Sequence, residues 1–330
     1  MKSQEQSNKA YLGVDQTGAV IKRAGGQVYR PLPAVIALPG RNRTIQILAA
    51  SGHQKKIGLA SFDPGEIVAL VEPYVDVPRD IVVLADCVFG LPSDMRRGNA
   101  SLRQLLDRAA THDSAASEPL GRQRSAAFFR NILNEFTPDR HVDKQWPLRR
   151  CEQLASSNSV FQEHPFQKNI QSGTYRIWCD LGRSLRKQSG HTVRFWPHDF
   201  TTERHTNGTN GTNDTHDAQD AHATGAGQMM TIAEGYPSLY WKTFFGTKTR
   251  RPEDLQTLST AALKGLGWSL TCPHWEVITN DPDTADAAAL ALAAFIMQSS
   301  SELFQRSLSC APDPSATVFH AEFEGWIAGV

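Results

Sequence analysis

Five carboxylates stand at places where an apolar run stops or a helix begins. Asp15 ends the run Ala10–Asp15 and is followed by the turn signal Thr17-Gly18. Asp86 follows the β-branched run Ile81–Ala85, and Gly90-Leu91-Pro92 just beyond it cannot continue a central strand. Glu234 ends the strand-like Met229–Ala233. Asp283 and Asp286 fall in the first turns of an alanine-rich helix, and their i,i+3 spacing puts both on one face. Carboxylates on rigid strand and helix ends suit hard divalent cations, which take oxygen ligands in preference to thiolate or imidazole. One or two Mg²⁺ or Mn²⁺ ions held in this way offset the charge that develops in phosphodiester hydrolysis. The expected centre is Asp15, Asp86, Glu234 and Asp286, with Asp283 as an additional ligand.

Each of these residues also has an ordinary role when taken alone. Asp15 can initiate a turn, Asp283 can complement a helix dipole, and Glu234 can be a solvated strand end. Asp281 is expected to be the cap of the alanine-rich helix. Asp286 differs, because it lies beyond capping reach among alanines and leucines, where a charge needs a partner or a metal. The ordered set points to a site.

The elements that must position these side chains follow from the apolar pattern. Strands are expected at Ala10–Asp15, Ala19–Ala24, Val35–Leu38 and Thr44–Ala49, which opens the chain as an antiparallel meander. Further strands are expected at Glu66–Val71, Ile81–Ala85, Thr192–Trp196 and Met229–Ala233. Helical patterns cover Ser101–Ala110, Ser125–Phe136, Leu148–Ala155 and Tyr175–Lys187. A helix opens at Gly235-Tyr236-Pro237 and runs to Phe245, and others span Pro252–Leu263 and Ala285–Met297. Residues 201–228 are mostly Asn, Thr, Gly, His and Asp and lack apolar residues to bury. They are expected to be a disordered surface insertion within one domain spanning residues 1–330.

Bulk composition narrows the classes. The chain has 330 residues, 40% of them hydrophobic and 21% charged, with zero net charge, which excludes a broadly basic nucleic-acid coat protein but not a local basic groove. The longest apolar stretch is too short to span a bilayer and contains Asp286. Five scattered cysteines form no CxxC pair, and the first ten residues lack a signal-peptide core, so a cytoplasmic protein with reduced thiols and no membrane partner is expected. Cys87 and Cys151 have no neighbouring His to activate them, so structural roles are expected for both.

These residues resemble a known family. Leu12-Gly13-Val14-Asp15 is similar to the opening strand of the family called domain of unknown function 429. Ala85-Asp86 with Phe89-Gly90-Leu91-Pro92 resembles its second acidic element, and Ala233-Glu234-Gly235-Tyr236-Pro237-Ser238 resembles its "E-x-Y-P-S" motif. Asp283-Thr284-Ala285-Asp286-Ala287 is similar to its "D-A-x-D-A" helix start, Glu324-Gly325-Trp326-Ile327 to its C-terminal "E-G-W-I", and Phe195-Trp196-Pro197 to the segment before its insertions. The matches run in order across nearly the whole chain. Gln16-Thr17-Gly18-Ala19 lacks the Trp that follows the first Asp in the family. The resemblance implies an α/β, ribonuclease H-like mixed sheet flanked by helices, with helical insertions, and a nuclease activity.

A nuclease must also hold phosphates. Lys242, Lys248 and Arg250 follow the Glu234 motif closely and are the expected substrate-binding cations. Arg251, the Arg41/Arg43, Arg96/Arg97 and Arg149/Arg150 pairs are further candidates. Trp146, Trp178 and Trp241 are candidates for base stacking, with core packing as their ordinary role. Two other classes fit parts of the pattern. Asp15–Gly18 partly fits an actin-like or sugar-kinase-like ATP-binding protein, although no second Gly-rich phosphate loop follows. A non-catalytic binding protein that keeps the fold would have an acidic cluster without metal affinity.

Overall fold

The architecture is that of a computed structural model, which describes residues 9–16, 19–49, 58–75, 80–92, 101–136, 147–155, 157, 159–161, 170–187, 191–196, 198–199, 229–299 and 328. The turn Thr17-Gly18, Arg96, Arg97, Trp146, Pro197, the insertion 201–228 and the motif Glu324–Ile327 lie outside the described residues.

Strand β1 (Lys9–Val14) is buried on both faces, as a central strand must be. Among the described residues, strands β2 (Val20–Arg23) and β3 (Gly26–Tyr29) pair with each other and with no other strand, as a separate antiparallel hairpin. The expected meander is therefore made by other strands. Strand β4 (Leu32–Gly40) runs antiparallel beside β1, and β5 (Thr44–Leu48) runs antiparallel beside β4. A short β6 (Gly58–Leu59) pairs with the start of β4.

Residues Glu66–Val71 were expected as a strand and instead lie in helix α1 (Pro64–Val71). The β-branched residues are overruled by the helix start: Asp63 accepts the Gly65 amide at 2.8 Å, and Pro64 supplies the fixed φ of a first helical residue. Strand β7 (Asp80–Ala85) returns parallel to β1. Among the described residues, helices α2 (Leu102–Ala115), α3 (Arg122–Phe136), α4 (Arg150–Ala155) and α5 (Ile170–Arg186) follow. The start of α2 is fixed by a reciprocal capping box between Ser101 and Gln104.

Strand β8 (Thr192–Trp196) and strand β9 (Met229–Glu234) flank the insertion, and β9 lies parallel between β7 and β8. Helix α6 (Pro237–Thr243), helix α7 (Leu255–Gly265), strand β10 (Ser269–Thr271), helix α8 (Trp275–Thr279) and helix α9 (Pro282–Ser299) complete the described chain. The sheet order is β10-β5-β4-β1-β7-β9-β8. The protein is thus α/β, with a mixed sheet whose β1, β7, β9 and β8 are parallel. Among the described residues no helix is long and apolar enough to cross a membrane.

Two cores follow from the strands' alternation. Leu12, Val14, Val83 and Ile232 face one side and pack with residues of α1, α2, α3 and α5, including Trp178. Tyr11, Val82, Leu84 and Ala233 face the other and pack under α9. Helix α9 is apolar all round because it is covered all round: every residue from Ala287 to Met297 is at most 5% exposed. The sheet lies on one side of it, and α6, α7 and α8 on the other.

The seat of α9 on β1 depends on Gly13. A Cβ there would lie 1.9 Å from the Ala287 carbonyl oxygen and 2.5 Å from the Ala291 nitrogen. Both are helix backbone atoms that cannot yield without moving α9. Gly13→Ala is expected to cost on the order of 3 kcal/mol in chemical denaturation. Gly25→Ala, where nothing lies within 4 Å of the added methyl, should stay within about 0.5 kcal/mol of wild type. Equal stability of the two variants would contradict the close seating of α9.

Candidate functional site

In-register pairing brings the strand ends level. Val14 pairs with Ala85, and Ala85 pairs with Glu234, so Asp15, Asp86 and Gly235 are the next residues at the carboxyl edge of three adjacent parallel strands. Such edges are where sites in α/β sheets lie. The backbone is tied there as well: the Asp86 amide donates to the Val14 carbonyl at 2.9 Å, and the Gly235 amide to the Ala85 carbonyl at 2.8 Å.

The carboxyl groups of Asp15 and Asp86 are hydrogen-bonded to each other. Asp15 is 5% exposed. Asp86 is densely surrounded by protein yet keeps a partly accessible edge. Burial pushes the Asp15 carboxyl well above its ordinary range, and the charges of Asp86, Asp286 and Asp283 push it further. Burial, followed by the charge of Asp286, pushes Asp86 up to about 7, while Arg250 opposes the shift. The close approach of the two groups means that the pair, rather than either residue alone, retains a proton to higher pH than free carboxyls do. Two carboxyl groups in contact cannot both ionise freely.

Helix α9 supplies the other two acids. Asp281, just before the helix, accepts the Thr284 hydroxyl, the local role of a helix-start residue. Asp283 is buried in the first turn. Asp286 is held at both oxygens: the Trp241 indole donates to Oδ1 at 3.0 Å, and Arg250 donates to Oδ2 at 2.6 Å. Trp241 is therefore a fully buried core residue that orients Asp286, and Trp178 is likewise core, donating to the Val88 carbonyl at 2.7 Å. Arg250, expected to bind substrate, pairs with the cluster itself, while Lys242 and Lys248 are exposed nearby in sequence. Among the described residues no three carboxylate, imidazole or thiol side chains stand close enough together to hold one ion as they are arranged.

Glu234 does not join this group. Its register partner Ala85 and its strand neighbours Met230 and Ile232 all face the α2–α5 side, the opposite side from Leu84 and α9. There Arg149 binds it with two parallel hydrogen bonds, 2.6 Å to Oε2 and 2.5 Å to Oε1. Arg149 also donates from Nε to Glu152 at 2.9 Å and is 1% exposed, so it is a buried structural cation rather than a phosphate contact. Sequence gave no signal for this pairing, because the partners are 85 residues apart. The Glu234 Oε2 atom accepts the Phe89 amide at 2.9 Å. The segment after β7 is thereby pinned, with Thr174 accepting the Val88 amide and His198 bonded to the Phe89 carbonyl at 2.7 Å. Glu234 thus acts on Asp86 through the backbone that carries it.

Two further expectations are resolved by topology and burial. Arg41 and Arg43 follow the end of β4, which lies beside the start of β1, so they sit at the sheet edge opposite the acids. Cys87 and Cys151 are buried, and burial pushes the Cys87 thiol up, which disfavours a thiolate nucleophile.

Comparison with protein-family models, with curated proteins and with solved structures found no match.

The buried pair predicts a pH dependence of stability. A folded-state pKa raised to about 7 means that the native protein binds the proton more tightly than the unfolded chain. That stabilisation is complete below the unfolded carboxyl value of about 4 and is lost as pH rises through 7. In chelator, wild-type thermal stability should fall between pH 5 and 8, whereas Asp86→Asn should show a flatter profile and exceed wild type at pH 8. A profile unchanged by Asp86→Asn would contradict the coupling.

Proposed function

We propose that this protein is a metal-dependent phosphodiester hydrolase acting on nucleic acid, with a ribonuclease H-like fold. The observation that carries the reading is the adjacency of Asp15 and Asp86, from neighbouring parallel strands, with Asp286 of α9 within electrostatic reach of both. An antiparallel β5-β4-β1 unit extended by parallel strands beside β1 supports the fold assignment. The ordered motifs shared with the family called domain of unknown function 429 support it as well. Under this reading the enzyme is cytoplasmic, with reduced thiols.

The donor set fits Mg²⁺ or Mn²⁺. It consists of carboxylate oxygens, and the two closest carboxyl groups already need a positive species between them, the role the shared proton fills. Asp15, Asp86 and Asp286 would hold the ion, with Asp283 reinforcing the negative potential. When bound, such an ion neutralises charge on phosphoryl oxygens and lowers the pKa of water. Asp286 would exchange its Arg250 partner for this task. The exchange is inexpensive because the Arg250 side chain is 45% exposed, and exposed ion pairs contribute at most about 1 kcal/mol. Arg250, once released, joins Lys242 and Lys248 as a contact for substrate phosphates. Glu234 and Arg149 position the Asp86 segment and do not hold the ion.

Titration with Mn²⁺, read by thermal stability and by cleavage of single-stranded, duplex and branched nucleic acids, tests this reading. Mn²⁺ should raise the melting temperature of wild type and support cleavage. Asp15→Asn, Asp86→Asn and Asp286→Asn should each lose cleavage by about 100-fold or more. Glu234→Gln should destabilise the protein by about 3 kcal/mol, because it leaves Arg149 without its full charge complement, while the folded fraction stays metal-dependent. Cleavage by Asp15→Asn at the wild-type rate would overturn the assignment.

A further inference from the structure

The chain between Asp15 and the capping Asp63 is one-sided in charge. From Gln16 through Phe62 there are seven lysines and arginines and no aspartate or glutamate, although the whole chain has zero net charge. Three of these cations, Lys22, Arg23 and Arg30, belong to the β2–β3 hairpin or its immediate exit. This hairpin joins the end of β1 to the start of β4, and the Asp15 amide donates to the Pro33 carbonyl across its base. It therefore rises from the same sheet edge as the acidic cluster. The Arg41–Arg43 pair of the same stretch lies at the other edge.

The hairpin is built as an arm. It pairs with no strand of the main sheet, and Lys22, Arg23, Gln27 and Val28 are exposed. Four paired residues a side give it a length of about 13 Å beyond its base. An isolated hairpin is marginal in water, so something must hold this one. Buried Arg176 of α5 does so. It donates to the carbonyls of Arg30, at 2.5 Å, and Ala60, at 2.8 Å, and its guanidinium stacks on the Tyr29 ring at 4.9 Å. The Arg30 amide closes the base on the Ala19 carbonyl at 2.9 Å. Among the described residues, neither Lys22 nor Arg23 makes an ion pair, so both charges face solvent uncompensated.

We propose that the β2–β3 hairpin is a phosphate-backbone arm that holds a nucleic-acid strand at the carboxyl edge of the sheet, approaching the acidic cluster from the α5 side, with Lys22 and Arg23 as its contacts. This inference rests on the nuclease reading for its purpose and on charge complementarity for its ligand. A polyanion with regularly spaced phosphates matches solvent-facing cations on an extended ribbon, and such contacts position a strand without reading its sequence.

The test separates the arm from the chemistry. Binding of a labelled single strand, as DNA and as RNA, is measured in chelator across a salt series for wild type and for Lys22→Gln/Arg23→Gln. The doubly substituted protein should melt as wild type does, because both side chains are exposed. It should bind roughly tenfold more weakly, and its log affinity against log salt slope should be shallower by about 1.4. Its Mn²⁺-dependent hydrolysis of bis(p-nitrophenyl) phosphate, which is too small to reach the arm, should equal that of wild type. An unchanged salt slope, or a wild type that binds neither strand, overturns the arm. Normal strand binding that depends on Lys22 and Arg23, with no hydrolysis of the small diester, supports the arm and overturns the nuclease reading alone.

Discussion

Helix α9 can lie directly on β1 only because residue 13 has no side chain, and the arrangement of charge in this molecule follows from that contact. With the Ala287 carbonyl 1.9 Å from where a Cβ would stand, the helix axis is brought as near to the strand as backbone atoms allow. The first turns of α9 then overhang the end of β1, and Asp283 and Asp286 come within electrostatic reach of Asp15. The helix is sealed on its other side by α6, α7 and α8, so the acids it carries cannot relax into solvent as a group. The burial that packs the second core therefore also concentrates negative charge, and a buried carboxyl pair must hold a proton or a cation.

A second charged assembly supports the first from the opposite side of the sheet. Arg149 links Glu234 and Glu152 at the side where α2, α3 and α5 pack, and Glu234 passes the restraint to the Phe89 amide. Three residues before Phe89 stands Asp86. A buried ion pair adds little net stability over an apolar replacement, yet breaking one partner costs several kcal/mol. Its contribution here is geometric: the strand end that carries Asp86 cannot drift while the Arg149–Glu234 pair is intact.

Much of this was legible in the sequence where one residue type had one physical reason to be present. Asp15 and Asp86 were visible as acids ending apolar runs, and Asp286 as a charge set in an otherwise apolar helix. The α9 start was visible from Asp281-Pro282. What failed had a competing local or tertiary cause. The apolar β-branched content of Glu66–Val71 suggested a strand, but Asp63-Pro64 starts a helix. Glu234 ends a strand as a ligand would, whereas strand parity sends it to the other face. Arg149 looked like surface charge because its partners are remote in sequence. Strands β6 and β10 and helix α8 are two to five residues long and owe their form to neighbours rather than to pattern.

The central claim is that the acids gathered by α9 and the strand ends are a cation site. A crystal structure of the protein soaked in Mn²⁺, with anomalous differences recorded at the manganese edge, tests it most directly. A cation site requires a peak at coordination distance from Asp15 and Asp86, with Asp286 turned toward it and Arg250 displaced. Ordered carboxylates at saturating Mn²⁺, with Asp15 still hydrogen-bonded to Asp86 and no peak beside them, would contradict it.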